Sequence, residues 1–285
     1  MRARIVLTVV GCAAALAAGC GGSDQSGSGG PEVVAAFYPI AYAAERIAPD
    51  ADVRNLTPAG AEPHDLELSA RAVERARDAD LVLYLGGRFM PALEDAVAGS
   101  ANAVDLLADP GAEPGGDDGA RDPHIWLDPA RYAVLVRSVA QALSRPGAGD
   151  GLVAELRELD REYRRGLASC RRRELVTSHA AFGRLAAAYG LRQVALTGVS
   201  PEAEPSPRAL EELVQTVEAT GATTVFFEPL VSHELAETVA REAGVATAEL
   251  DPLESLTDEQ VASGADYFTV MRDNLTALRA ALGCS

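Results

Sequence analysis

Four histidines are the only imidazoles in this 285-residue chain, so each can be weighed by itself. His64 lies in Pro-Ala-Gly-Ala-Glu-Pro-His-Asp at 58–65, a loop that follows one apolar run and precedes an amphipathic one. His124 stands in Asp-Pro-His-Ile-Trp-Leu-Asp-Pro at 122–129, and His179 closes Leu-Val-Thr-Ser-His at 175–179. His233 opens an amphipathic segment in Ser-His-Glu at 232–234, and Asp251 follows an apolar run in Glu-Leu-Asp-Pro-Leu at 249–253. Open α/β sheets bind ligands outside the carboxyl ends of their strands. His64, His179 and Asp251 all fall where a strand would hand over to a helix. Imidazole nitrogens with a carboxylate suit a borderline cation such as zinc, whereas oxygen donors alone would suit calcium or magnesium.

The elements that must position these residues are legible as two alternating periods. Short apolar runs at 33–37, 53–56, 81–85, 175–177, 193–196, 224–227 and 246–250 alternate with helical periodicity at 70–79, 129–143, 151–167, 180–189, 207–220, 233–243 and 265–282. The pattern predicts an α/β fold of two lobes, each with a mainly parallel sheet flanked by helices. Helical stretches 129–143 and 151–167 follow one another with no strand between them, which marks a connector. The expected division is an N-terminal lobe over 31–147, one long connecting helix over 148–169 and a C-terminal lobe over 170–285. The Gly-, Pro- and Asp-rich stretch 109–122 reads as a surface loop.

Composition narrows the function classes. Hydrophobic residues at 48% and charged residues at 24% describe a folded globular body. With 42 acidic against 25 basic residues and a formal charge of -17, a surface that tracks nucleic-acid phosphates is not expected. Every basic residue is arginine, which excludes Schiff-base lysine chemistry and the lysine of a P-loop. At the N-terminus, Arg2 and Arg4 precede an uncharged apolar run over 5–18, too short to span a bilayer comfortably, and then Gly19 and Cys20. Residues 1–19 therefore read as a secretory signal. Leu-Ala-Ala-Gly-Cys at 16–20 is similar to a bacterial lipobox, with Cys20 as the lipid-bearing residue and the Gly/Ser-rich segment after it, up to residue 30, as a flexible tether. Export leaves Cys170 and Cys284 as the two cysteines of the mature fold, and an oxidising compartment predicts one disulfide between them.

Pro-His-Asp at 63–65, the string at 122–129, Thr-Ser-His-Ala-Ala-Phe at 177–182, Phe-Glu-Pro at 227–229 and Leu-Asp-Pro-Leu at 250–253 together resemble the zinc- and manganese-binding lipoproteins of bacterial ATP-binding-cassette importers. The resemblance runs from about residue 31 to 284. It implies two α/β lobes joined by a long helix with metal between them, and an extracytoplasmic, monomeric protein anchored to the cell membrane by lipid. The implied partners are a permease and an ATPase. Residue by residue, the resemblance assigns His64, His124, His179 and Asp251 as metal ligands and leaves His233 as a surface residue. Three imidazoles favour zinc over manganese as the transported ion. The 109–122 loop lacks the histidines that many zinc-binding relatives carry there, and Gly-Gly-Arg-Phe-Met at 86–90 lacks the acidic residue that often follows the glycines. Glu62 reads as an exposed loop carboxylate, although its spacing from His64 would allow it near the site. Two other functions fit parts of the pattern: a zinc-dependent hydrolase and a metal-binding surface adhesin. Against the hydrolase stand the absence of His-Glu-x-x-His and Gly-x-Ser-x-Gly motifs and four ligands where catalysis needs an open position.

Overall fold

A computed structural model describes residues 29–108, 122–199 and 206–285; the expected signal, Cys20, most of the tether and nearly all of the acidic loop lie outside the described residues. The first sheet is built from β1 (Glu32–Ala35), β2 (Asp52–Asn55), β3 (Leu81–Tyr84) and β4 (Ala103–Asp105), in the order β2-β1-β3-β4. The second uses β5 (Glu174–Thr177), β6 (Arg192–Ala195), β7 (Thr224–Phe227) and β8 (Ala246–Glu249), in the order β6-β5-β7-β8. All pairings are parallel, and the two lobes repeat one topology, a relation the sequence does not display. Parallel strands need helical crossovers. The first lobe supplies α1 (Tyr38–Ile47), α2 (Ala70–Asp78) and α3 (Pro91–Ala96), and the second α6 (Gly183–Ala188), α7 (Pro207–Thr220) and α8 (Glu234–Ala243).

Between the sheets run α4 (Pro129–Ala142) and α5 (Asp150–Leu167), and α9 (Asp258–Ser263) and α10 (Tyr267–Leu282) follow β8. The long α5 buries Leu152, Val153, Leu156, Leu159, Tyr163 and Leu167, a stripe at helical spacing, and turns its Glu and Arg residues to water. Its Tyr163 hydroxyl donates to Met271 O at 2.6 Å, so the connector is fastened to α10. Helix α7 starts as its sequence dictates: Ser206 accepts from Ala209 N, Pro207 occupies the first turn, and Gly221 at φ 68° ends it.

Four helical segments depart from the periodicity, one of them the six-residue α3, too short to show a helical period. Helix α1 was not separable from β1 because seven of its ten residues are buried, which erases the polar face that marks an amphipathic helix. Helix α6 begins at Gly183 rather than 180, since the chain spends 180–182 on the turn that follows His179. The short α9 carries almost no apolar signal and is instead started by a capping box, Thr257 with Gln260. One hydrophobic core runs from β1 and α1 through Trp126, α4 and α5 to Tyr267 and Met271 of α10; a smaller one holds Val176, Val217, Val225 and Val239. A disulfide joins Cys170 to Cys284, as the cysteine count predicts, and ties the end of α10 to the segment after α5.

Candidate metal centre

Each candidate ligand sits in a segment that leaves a strand or enters a helix. His64 lies on the loop after β2, which is fixed at its root by Thr57 Oγ1 donating to Ala36 O at 2.9 Å. It is drawn to the other lobe by Gly60 N donating to Leu256 O at 2.8 Å and Ser255 Oγ donating to Pro58 O at 2.9 Å. His124 precedes a single 3-10 turn, Ile125–Leu127, whose Trp126 is fully buried and donates Nε1–H to Pro252 O at 2.7 Å. Asp128 then caps α4 by accepting from Ala130 N. His179 lies two residues beyond the end of β5, where Thr177 Oγ1 donates to its carbonyl at 2.7 Å.

These three histidines converge, and the fourth member of the cluster is Glu254. Glu254 Oε1 lies 3.2 Å from His64 Nε2, 3.0 Å from His124 Nε2 and 3.5 Å from His179 Nε2, while the Nε2 atoms of His124 and His179 are 3.4 Å apart. A tetrahedron drawn around zinc with bonds of about 2.0 to 2.1 Å has edges of roughly 3.3 to 3.4 Å. These four of the six donor separations thus lie near the edges of such a shell, and all four donor atoms lie within 4.8 Å of one another. Only 7% of the His64 side chain is exposed and less of the other three.

The donor atoms are aimed from behind. Asp122 Oδ1 lies 2.8 Å from His124 Nδ1 and also accepts from its backbone N. Glu228 Oε1 lies 2.6 Å from His179 Nδ1, and Ser178 Oγ donates to the same carboxylate. An imidazole that gives its Nδ1 proton to a carboxylate turns the Nε2 lone pair toward the cluster and becomes a better ligand. His64 is held by packing instead: its ring meets the edge of Phe89 at 4.5 Å, and Phe89 in turn packs on Trp126 at 5.5 Å and Phe37 at 4.7 Å. The segment at 86–90 that carried no reading from sequence therefore walls the site, and its Gly87 and Arg88 take up positive φ to present Phe89.

Charge is concentrated in this space. Burial would favour a protonated Glu254, yet hydrogen bonds from His124, His179 and His64 hold its carboxyl well below the usual range. Burial would likewise discharge His179, but Glu228 and Glu254 outweigh it and push the imidazole up to about 10. His124 is raised against its own burial by Asp122 and Glu254. Glu62 is half-buried rather than exposed: it accepts from the backbone N of His64 and of Asp65, and burial with the neighbouring Glu254 charge pushes it up to about 8.

Asp251, which the resemblance assigns as a ligand, does not lie in the cluster, where Glu254 stands instead. Its carboxylate is turned away and satisfied: Oδ1 accepts from Leu253 N at 2.7 Å and Oδ2 from Gln260 Nε2 at 2.7 Å. Burial pushes it up to about 6 against those two donors. Leu253 sits between the two carboxylates at φ 55°, a left-handed conformation that costs a non-glycine residue about 1 to 2 kcal/mol and swings Glu254 inward. The sequence signal for Glu254 was a second acidic residue three positions beyond Asp251; nothing local chose between them. His233 stands apart, its ring stacked on Phe227 at 4.2 Å.

Two like-built parallel α/β lobes with a buried cluster of three imidazoles and one carboxylate at their strand ends define a two-lobed metal-binding protein. The chain belongs to the family described as zinc-uptake complex component A, periplasmic (ZnuA), whose profile matches residues 33–281. It is 36% identical to the zinc-binding lipoprotein AdcA of Streptococcus pneumoniae over 97% of this chain and 60% of that one. It is 31% identical to the high-affinity zinc uptake system protein ZnuA of Bacillus subtilis, with 97% of each covered. The chain spans 55% to 60% of the length of the AdcA relatives it matches. The Zn(II)-bound ZnuA-like domain of S. pneumoniae AdcA superposes with a TM-score of 0.75 at 37% identity, over 89% of this chain and 99% of that one. The periplasmic zinc-binding protein TroA of Treponema pallidum gives 0.80 at 27% identity, over 89% and 99%.

Proposed function

We propose that this chain captures zinc outside the cytoplasm and delivers it to an ATP-binding-cassette importer, with His64, His124, His179 and Glu254 as ligands. The observation that carries the reading is the convergence of three imidazole nitrogens and one carboxylate oxygen within 4.8 Å of one another, four of their six separations being 3.0 to 3.5 Å and close to the edges of a tetrahedral zinc shell. Three imidazoles set zinc above manganese, which prefers more oxygen. Four protein ligands leave no position for a catalytic water, so the site serves binding and not hydrolysis. In this reading Cys20 carries the lipid, residues 21–30 are the tether, and a permease and ATPase receive the ion from a monomeric donor. Membership of the zinc-uptake family supports the transport role. Competitive titration of protein stripped of metal tests the assignment. Zinc is expected to bind one to one and more tightly than manganese, with Glu254→Gln weakening zinc by orders of magnitude; wild-type zinc affinity in that variant would overturn the site.

A further inference from the structure

Asp251 is nearly fully buried, is not one of the four clustered ligand residues, and is itself held by four hydrogen bonds. Its backbone N donates to Asn274 Oδ1 at 2.9 Å, and Asn274 Nδ2 donates back to its carbonyl at 2.7 Å, so α10 grips the residue from both sides. Its Oδ1 closes a turn on Leu253 N, and its Oδ2 receives Gln260 Nε2 from α9. Gln260 is itself anchored, accepting from Thr257 N at 2.7 Å. On the far side of the turn, Trp126 holds Pro252 O. Every polar group of 251–253 that these contacts reach serves one outcome: Leu253 is kept in a left-handed conformation that leucine rarely adopts, with the ligand Glu254 next in the chain.

We propose that Asp251 is the positioning residue that fixes Glu254 as a single-oxygen ligand, and that it thereby sets the preference of the site for zinc over manganese. The inference rests on the reading of Glu254 as a ligand. When Oδ1 releases Leu253 N, the turn loses the bond that spans its strained residue and relaxes toward right-handed backbone. The Glu254 carboxylate then no longer stands 3.0 to 3.5 Å from three Nε2 atoms at once. A carboxylate free to swing can offer both oxygens and raise the coordination number, which suits an oxygen-seeking ion of higher coordination better than a four-coordinate one. Held at one distance by one oxygen, it suits zinc.

The test compares full-length protein and variants, stripped of metal, by zinc and manganese competition titration and by the visible absorption of the cobalt(II) complex, which is intense only in tetrahedral surroundings. Asp251→Ala is expected to weaken zinc by about 10- to 100-fold, the usual effect of losing an outer-shell partner, to weaken manganese less, and to lose cobalt band intensity. Gln260→Ala removes the donor to Asp251 Oδ2 together with the acceptor of Thr257 N, from a half-buried position outside the cluster, and is expected to shift all three readouts the same way by a smaller amount. Asp251→Asn alone sets an amide donor against the Gln260 amide. Combined with Gln260→Glu, that bond is restored with its polarity reversed while Leu253 N and Thr257 N keep their acceptors, so the pair should recover the zinc-to-manganese ratio and the cobalt spectrum. Equal losses for both metals with an unchanged spectrum and no recovery in the pair, or wild-type behaviour of Asp251→Ala and Gln260→Ala, would overturn the proposal. If Glu254→Gln loses zinc while Asp251→Ala does not, only the positioning role fails; if Glu254→Gln binds zinc as wild type does, the site itself is wrong.

Discussion

His179 shows how the candidate site balances metal against protons. Its imidazole is raised from 6.5 to about 10 by Glu228 and Glu254 despite burial, while zinc requires the neutral ring. Zinc affinity should therefore climb with pH up to about 10, and binding at pH 7 should release at least one proton, measurable by calorimetry in buffers of different ionisation enthalpy. Stability of protein stripped of metal should move the other way. A raised folded pKa adds stability that is fully present below about 6.5 and is lost as pH rises through about 10, so melting temperature should fall across that window. A melting temperature rising from pH 7 to 10 would contradict this. His179→Ala is expected to weaken zinc by orders of magnitude and His233→Ala to leave it unchanged, because the His233 ring only packs on Phe227. Three of the four clustered residues were legible in the sequence, as histidines at or near strand-to-helix transitions. Glu254 was not: Leu-Asp-Pro-Leu-Glu offers two carboxylates, and the choice depends on Trp126, Gln260 and Asn274, all distant in sequence or on other elements.

At the scale of elements, periodicity located the strands with apolar runs and the amphipathic helices to within a few residues. It failed where the element is short or buried all round, as at β4, with three residues, and α1. The disulfide is a constraint of another type that sequence could supply, since the pairing followed from the number of cysteines expected to remain after export. It encloses 114 residues, for which the chain-entropy relation gives about 4 to 5 kcal/mol, an upper value because native strain subtracts from it. Guanidinium unfolding with and without reductant should show the reduced form less stable by a few kcal/mol. Two titratable thiols in protein kept oxidised would contradict the bond.

At the scale of the molecule, the two lobes share one continuous core, and the seam between them is fastened by hydrogen bonds as well as by α5. Tyr267 OH donates to Trp126 O at 2.6 Å, and its ring packs on Tyr132 at 4.6 Å. Helices bend sharply at proline, glycine pairs or bulges. In α5 the glycines stand only near its ends, at Gly151 and Gly166. Zinc should accordingly leave the relative placement of the lobes nearly unchanged, and small-angle scattering curves with and without zinc should superpose; a marked fall in radius of gyration would refute this. The α/β alternation and the successive helices were enough to foresee two lobes and a connector. The repeated strand order was not, because related backbone paths here carry unrelated side chains.

The strand order also decides how the protein would bear mechanical load. In the proposed attachment at Cys20, any pull from the membrane enters the fold at the N-terminal end of β1, which lies between β2 and β3 and not at an edge of its sheet. Its parallel ladders run from Glu32 opposite Asp52 to Ala35 opposite Asn55 on one side, and from Val33 opposite Leu81 to Ala35 opposite Leu83 on the other. Force along that strand shears both ladders together, instead of peeling bonds one after another as it would from a sheet edge. A surface-tethered donor built this way resists drag through its own fold, with the metal cluster on the far side of the strands that take the strain.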